Sequence, residues 1–334
     1  MRKRNVVLIG PMPPPIGGVS THLSRLLSRS KEIEQLNVSV WDIRRMRLHT
    51  VAGSSRNPLG VLRCFINSDI IHVHISRKLK LFLVRFSKFC GKKVVYTHHN
   101  SRSLNDTLTL RTMSAAHQVV LVRPLTENFS SEIQGKISVI PAYLHAPEST
   151  ELPAGLGKQL SSGPVLFAHC YQRKENPIFI DGKDLYGFDT IFKAVESVLL
   201  SYPDQSLTLF LADPANAMKD FYHSQLMYLQ KYSKLKVIYW NDELNFSSAL
   251  KYCSILIRAT RSEGDAISVR EALHAGVPVI ASDCVERPEG VVTFQTGNHE
   301  ALALGIVNQL ASPLKRYYPQ PDFAPEIFKI YNSI

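Results

Sequence analysis

No apolar run in these 334 residues approaches the roughly 18 that a membrane-spanning helix needs, which excludes an integral membrane protein held by such helices. Cysteine is sparse and scattered. Cys64, Cys90, Cys170, Cys253 and Cys284 form neither a CxxC pair nor a zinc spacing, and read as the reduced thiols of a cytosolic chain. After Met1-Arg2-Lys3-Arg4 the apolar stretch at 6–9 is too short for the core of a signal peptide and runs into prolines. No internal repeat or low-complexity tract is visible. Acidic residues are rare in the first third: residues 1–100 hold 18 Lys and Arg against 4 Asp and Glu, a net of +14. Residues 101–334 hold 21 against 24, a net of −3. A basic first third on a near-neutral remainder points to an oriented encounter with a polyanion: nucleic acid, anionic lipid or a phosphorylated substrate. No nucleic-acid recognition motif accompanies the charge, so nucleic acid is not an expected partner.

Hydrophobic residues make up 45% of the chain and charged residues 20%, enough apolar content for a sizeable core and too little charge for global disorder. The length suits two domains. β-Branched runs at 5–10, 38–43, 69–75, 93–97, 118–122 and 137–140 alternate with helical stretches near 19–30, 59–67, 77–90, 104–116 and 125–134. The alternation restarts with runs at 164–168, 207–212, 236–240, 254–259, 277–282 and 291–294. Helices near 188–201, 216–233, 246–252, 266–275 and 298–311 separate these. Short continuous apolar runs between helices read as strands buried on both faces, in doubly wound parallel sheets joined by right-handed crossovers. Residues 146–163, rich in Pro, Gly, Ser and Glu and lacking periodicity, are the expected linker. The expected architecture is α/β: two Rossmann-like domains, 1–150 and 151–315, facing each other across a cleft. Residues 316–334 form a tail, expected as a helix packing back on the first domain.

Segment 77–90 sets five basic residues among eight apolar ones. It suits a core helix with a solvated basic edge, or an interfacial helix on anionic lipid with its basic side chains snorkelling. A mixture of the two is expected. Leu79, Phe82, Phe86 and Phe89 recur at spacings of three and four and pack on the sheet, leaving Arg77, Lys78, Lys80, Arg85 and Lys88 to face lipid.

The first strand runs into a proline-rich loop, then Gly17-Gly18-Val19-Ser20-Thr21-His22 opens a helix. Glycines at a helix amino terminus let phosphate or a sugar hydroxyl approach the backbone N–H groups, or else merely make a tight turn. The loop is not GxGxxG. Period-2 alternation puts His72 and His74 on one face, as a ligand pair or as satisfied core histidines. His98 and His99 leave a strand at the ligand edge of an open α/β sheet, and one of them is expected to face the cleft. In 257–283 a strand enters a Gly-containing loop, then a helix closing at Gly276, then another strand. Gly264, Asp265, Ala266 and Ile267 mark that helix's amino terminus, which offers donors to an anion. Glu263 and Glu271 are carboxylates suited to vicinal sugar hydroxyls, although two glutamates at this spacing also suit a solvated surface.

These pieces together resemble the family-4 glycosyltransferases, the large retaining class with the GT-B fold. The proline-rich loop with Gly17 and Gly18, the strand end at 95–99, the Glu-x7-Glu of 263–271 and the following Ala-Gly-Val-Pro-Val-Ile-Ala-Ser-Asp carry the likeness in order over most of the chain. The resemblance implies a nucleotide-sugar donor held by the carboxy-terminal domain. Glu271 would bind the ribose hydroxyls and Glu263 the donor sugar. Gly264, Asp265, Ala266 and Ile267 would meet the sugar or diphosphate, Gly17 and Gly18 the diphosphate, and His99 or His98 the sugar near the reacting carbon. It implies no metal and no cofactor beyond the co-substrate. The family's Arg and Lys-Gly clamp is replaced here by Phe167-Ala168-His169 and Tyr186-Gly187. Arg173, Lys174, Lys183 or Arg258 are left to meet the diphosphate. The implied enzyme is cytoplasmic and peripheral on the inner membrane face, building a cell-surface glycan on a lipid-linked or growing oligosaccharide acceptor. A 2-epimerase-like nucleotide-sugar enzyme and a non-catalytic basic module binding nucleic acid or membrane are the alternatives.

Overall fold

The computed structural model describes residues 2–14, 16–76, 78–99, 106–124, 129–146, 151–171, 177–312 and 317–334. They pack as two units. One comprises Met1–His145, Gly264–Ala266 and Pro321–Ile334, the other Ala146–Glu263 and Ile267–Gln320.

The first unit holds an eight-stranded sheet of β1 (Arg4–Ile9), β2 (Leu36–Asp42), β3 (Arg47–Thr50), β4 (Gly53–Ser55), β5 (Ile70–Val73), β6 (Lys93–His98), β7 (Gln118–Leu121) and β8 (Ile137–Val139). Their order is β4-β3-β2-β1-β5-β6-β7-β8. All neighbours from β2 to β8 run parallel, and β3 and β4 extend the edge antiparallel. Alternate residues of β1 serve two cores, which is why its apolar run is continuous. Val6 and Leu8 pack with Leu23, Leu26 and Leu27 of helix Gly18–Arg29 and with Ile327, Phe328 and Tyr331 of helix Ala324–Ser333. Val7 and Ile9 pack with Leu83 and Val84 of helix Leu79–Phe89 and Met113 of helix Thr107–Ala115.

Helix Leu79–Phe89 is turned the other way from its expected orientation. Its buried residues are Lys80, Leu83, Val84 and Ser87, while Leu79, Phe82, Phe86 and Phe89 are exposed. The helix carries two stripes at helical spacing, and the inner one holds the small Ser87 and the long stem of Lys80. Helix Thr107–Ala115 packs against it, and the Lys80 ammonium donates to Thr109 Oγ1. Burial lowers the Lys80 pKa. Lys80 therefore has no part in a lipid-facing basic rim, and Arg77 lies outside the described residues.

The second unit is built on β9 (Val165–His169), a hairpin of β10 (Phe179–Ile180) and β11 (Lys183–Asp184), β12 (Leu207–Ala212), β13 (Leu235–Trp240), β14 (Ile255–Arg258), β15 (Val279–Ser282) and β16 (Val291–Phe294). Its six-stranded parallel sheet has the order β13-β12-β9-β14-β15-β16. Helices Phe188–Ser201 and His299–Ala311 cover one face with Phe188, Ile191, Val195, Leu302 and Ile306. The expected linker contains a short helix, Leu156–Leu160, because Leu156 and Leu160 are both buried. In place of the helix expected near 216–233 the structure has His223–Leu229, and near 125–134 it has Ser131–Gln134, with 125–128 outside the described residues.

Candidate functional site

In an open α/β sheet, ligands bind beyond the carboxyl ends of the strands where the strand order reverses. In the second unit that point lies between β9 and β14, which end in His169 and Arg258. Arg258 donates from Nε to Glu263 Oε1 at 2.7 Å and pairs with the same oxygen through Nη2. The other oxygen, Oε2, accepts from Arg287 Nη1 at 2.7 Å and Thr260 Oγ1 at 3.0 Å. Burial alone would raise the Glu263 pKa, but the Arg258 and Arg287 guanidiniums outweigh it and hold the carboxyl below its usual range. Both oxygens are thus engaged. The geometry makes Glu263 the group that orients two arginines, where sequence reasoning expected a direct ligand of a sugar. With one carboxylate between two guanidiniums, the array keeps a net positive charge suited to a diphosphate.

Arg258 also approaches His169, with Nη1 3.3 Å from Nε2. Burial, helped by the Arg258 charge, holds the His169 pKa well below its usual value, so its neutral imidazole accepts from the arginine. Tyr186 lies under Arg258 with the guanidinium 5.4 Å from its ring centroid and donates its hydroxyl to Tyr171 O. The negative face of the ring favours the guanidinium above it. Gly187 is required outright: its φ is +69°, and an added Cβ would lie 2.1 Å from Ala259 O. Lys183 is exposed on the hairpin, and Arg173 and Lys174 lie outside the described residues. Arg287 was missed by sequence reasoning. The signal was a basic residue just past the carboxyl end of β15, whose Nε donates to Ser282 O at 2.8 Å.

Glu271 is buried on helix Ile267–His274, where its Oε1 accepts from Ser247 Oγ at 3.4 Å. Ile267 opens that helix in the second unit, whereas Gly264, Asp265 and Ala266 pack with the first. There Asp265 Oδ2 accepts the backbone N–H of Ala142 at 2.9 Å.

The order of the first unit's sheet reverses between β1 and β5. Gly17 precedes helix Gly18–Arg29, which has no side-chain cap, and a Cβ on Gly18 would meet nothing within 4 Å. Neither glycine has a left-handed φ, so the backbone conformation alone does not require glycine at either position. Beside them His22, His72, His74 and His99 form one cluster. His72 and His74 share a face, with ring centroids 3.9 Å apart. His72 is satisfied on both nitrogens, by Tyr331 Oη and Thr97 Oγ1 at 2.6 Å each. His74 Nδ1 lies 2.9 Å from His99 Nε2, and His22 Nδ1 lies 2.8 Å from Ala142 O. Burial lowers the pKa of His22 to about 4 and those of His72, His74 and His99 well below the usual value. The buried Nε2 atoms of His22 and His74 have no hydrogen-bond partner among the described residues. His98 is buried, its Nδ1 3.1 Å from Tyr96 Oη, while His99 keeps partial exposure. Of the two, His99 is the less buried. No group of three or more His, Cys, Asp or Glu among the described residues is placed to hold a metal ion.

No protein-family model matches this chain, and neither does the sequence of any curated protein. Solved structures do. Anabaena HepE in complex with UDP-glucose is 14% identical, with a TM-score of 0.65 and 98% of this chain and 100% of that one covered. The catalytic domain of starch synthase IV from Arabidopsis thaliana, bound to ADP and acarbose, is 13% identical, with a TM-score of 0.66 and 99% of each chain covered. The UDP-GlcNAc 2-epimerase of Methanocaldococcus jannaschii is 14% identical, with a TM-score of 0.58 and 98% and 99% covered. At these identities what is shared is the fold, and the chain is an α/β protein of the GT-B type, with two Rossmann-like parallel-sheet units.

Proposed function

We propose that this chain is a retaining glycosyltransferase that moves a sugar, a hexose, from a nucleoside-diphosphate donor to a lipid-linked or growing oligosaccharide in cell-surface polysaccharide synthesis. The observation that carries the reading is the Arg258–Glu263–Arg287 array at the second unit's strand-order reversal, followed by a helix that buries Glu271. Arg258 and Arg287 stabilise the charge that develops on the leaving diphosphate, as preorganised donors already paid for in folding. Glu271 accepts the ribose hydroxyls. In the first unit, Gly17 and Gly18 leave room at a helix amino terminus for phosphate, and the neutral His99 hydrogen-bonds a sugar hydroxyl. The acceptor hydroxyl forms a bond to the anomeric carbon as the carbon–oxygen bond to the diphosphate breaks. Its proton passes to a diphosphate oxygen, so no carboxylate nucleophile is needed. The enzyme works in the cytoplasm at the inner face of the cell membrane. The folds of the UDP-glucose-bound HepE and the ADP-bound starch synthase support a nucleotide donor.

The test is a thermal-shift panel of nucleoside diphosphates and their sugars, followed by titration of the selected donor. One nucleotide should raise the melting temperature, since a ligand bound only to the native state stabilises it. Glu271→Ala should weaken that donor by about 1–3 kcal/mol, roughly 5- to 150-fold. A panel without any shift, or a mutant with unchanged affinity, overturns the reading. Conversion of the donor to its epimer without an acceptor would identify the 2-epimerase alternative, whose fold this chain shares.

A further inference from the structure

Two neighbouring helices of the first unit present an apolar outer face. On Pro58–Asn67 the only buried residue is Val61, while Leu59, at 74% exposure, Leu62 and Ile66 point outward one turn apart. On Leu79–Phe89 the outward stripe is Leu79, Phe82, Phe86 and Phe89, the last 89% exposed. Phe65 of the first helix stacks on Phe86 of the second at 5.7 Å between centroids, and Phe86 stacks on Phe82 at 5.7 Å. The two outward stripes therefore meet at the Phe65–Phe86 ring pair, where lone surface apolar residues would need no explanation. The fold does not use them, since Val61, Leu83 and Val84 already bury the inner faces.

The charge around this face has one sign. Residues 56–93 contain nine Lys and Arg and a single acidic residue, Asp69, which is paired with Arg2 at 3.1 Å. Arg63, Lys78, Arg85 and Lys88 are exposed on the same two helices or at their ends. A second copy of the chain would bring like charges together over the apolar contact, whereas an anionic lipid surface satisfies both features at once. We infer that this face inserts shallowly into anionic membrane, with Phe82, Phe86 and Phe89 entering the headgroup–acyl boundary beside Leu59, Leu62 and Ile66. Arg63, Lys78, Arg85 and Lys88 pair with lipid phosphates around them. This attachment combines two weak signals, apolar insertion and charge, and neither depends on which nucleotide the second unit takes.

Flotation of the full chain with phosphatidylcholine vesicles, with and without phosphatidylglycerol, tests it. The expected result is binding to the anionic vesicles that falls as salt rises from 0.1 to 1 M, where the screening length shrinks from about 10 to about 3 Å, but does not vanish. The F82S/F86S/F89S variant, altered only at exposed positions, should lose about tenfold or more in affinity. Phe89→Trp should gain fluorescence quenching by brominated acyl chains over wild type, a readout that does not require the triple variant to fold. Three outcomes overturn the inference: no binding to anionic vesicles, triple-serine binding equal to wild type, or no added quenching at position 89. Sedimentation showing a dimer that the triple variant dissolves, without vesicle binding, would assign the face to a second copy instead.

Discussion

Four imidazoles, His22, His72, His74 and His99, are held neutral in the first unit by burial first, then at His22 by the Arg25 charge and at the other three by neighbouring imidazoles. Each has its folded pKa below its unfolded value. For His22 the window runs from 6.5 in the unfolded chain to about 4 in the fold. Between those values the unfolded chain takes up a proton that the native state refuses. Stability is therefore full above pH 6.5 and falls as pH drops, by up to roughly 1.4 kcal/mol per pH unit for each such histidine. Urea midpoints at pH 7.5 and 5.5 should differ accordingly, and His22→Gln should flatten the dependence; equal midpoints would sink the neutral assignment. Part of this cluster was legible in sequence, because the pleat alone places His72 and His74 together. The rest was not. His22 comes from a helix, and Tyr331, which meets His72, lies 259 residues on. Arg287 likewise reaches Glu263 from 24 residues away. Spacing reports which face a residue shares with its neighbours in the chain, and strand order decides the remaining partners.

Elements were more legible than contacts, since strands buried on both sides must be apolar throughout. The strand expected at 207–212 is Leu207–Ala212, and within the run expected at 277–282 lies Val279–Ser282, both buried throughout. Strands β3 and β4 have no apolar signature, because Arg47-Leu48-His49-Thr50 and Gly53-Ser54-Ser55 sit at an edge with little buried. Helix Leu79–Phe89 shows a different failure. Two apolar stripes on one helix share the same spacing, and spacing alone does not say which packs inward. The helix Ala324–Ser333 buries Ala324, Ile327, Phe328, Ile330 and Tyr331 in the first unit. Phe328→Ala should destabilise that unit by about 3–5 kcal/mol, the usual cost of truncating a buried phenylalanine. Tyr331→Phe, which removes only the hydroxyl bonded to His72, should cost about 1 kcal/mol. Urea unfolding followed by hydrogen exchange in the first unit's strands would report both. An unchanged first-unit transition in Phe328→Ala would show that the helix is dispensable there.

At the scale of the whole molecule, charge is divided as the structure is. The surplus of +14 falls within the first 100 residues, all of them in the first unit, while the second unit sets Arg258 and Arg287 on the two oxygens of Glu263. If these arginines neutralise the leaving diphosphate, donor binding and transfer should survive EDTA; activity lost on chelation and restored by Mg²⁺ or Mn²⁺ would show that a metal does that work instead. The first unit is also discontinuous. Its sheet comes from Met1–His145, yet Pro321–Ile334 supplies part of its core and follows the whole of the second unit in the chain. During synthesis the first sheet must therefore wait, with Val6, Leu8 and Leu26 short of their last packing partners, while the second unit's residues leave the ribosome. The second unit, made after the first sheet, has its full set of residues earlier. A nascent chain released before residue 321 should expose an incomplete first core, making that half the natural substrate for a chaperone.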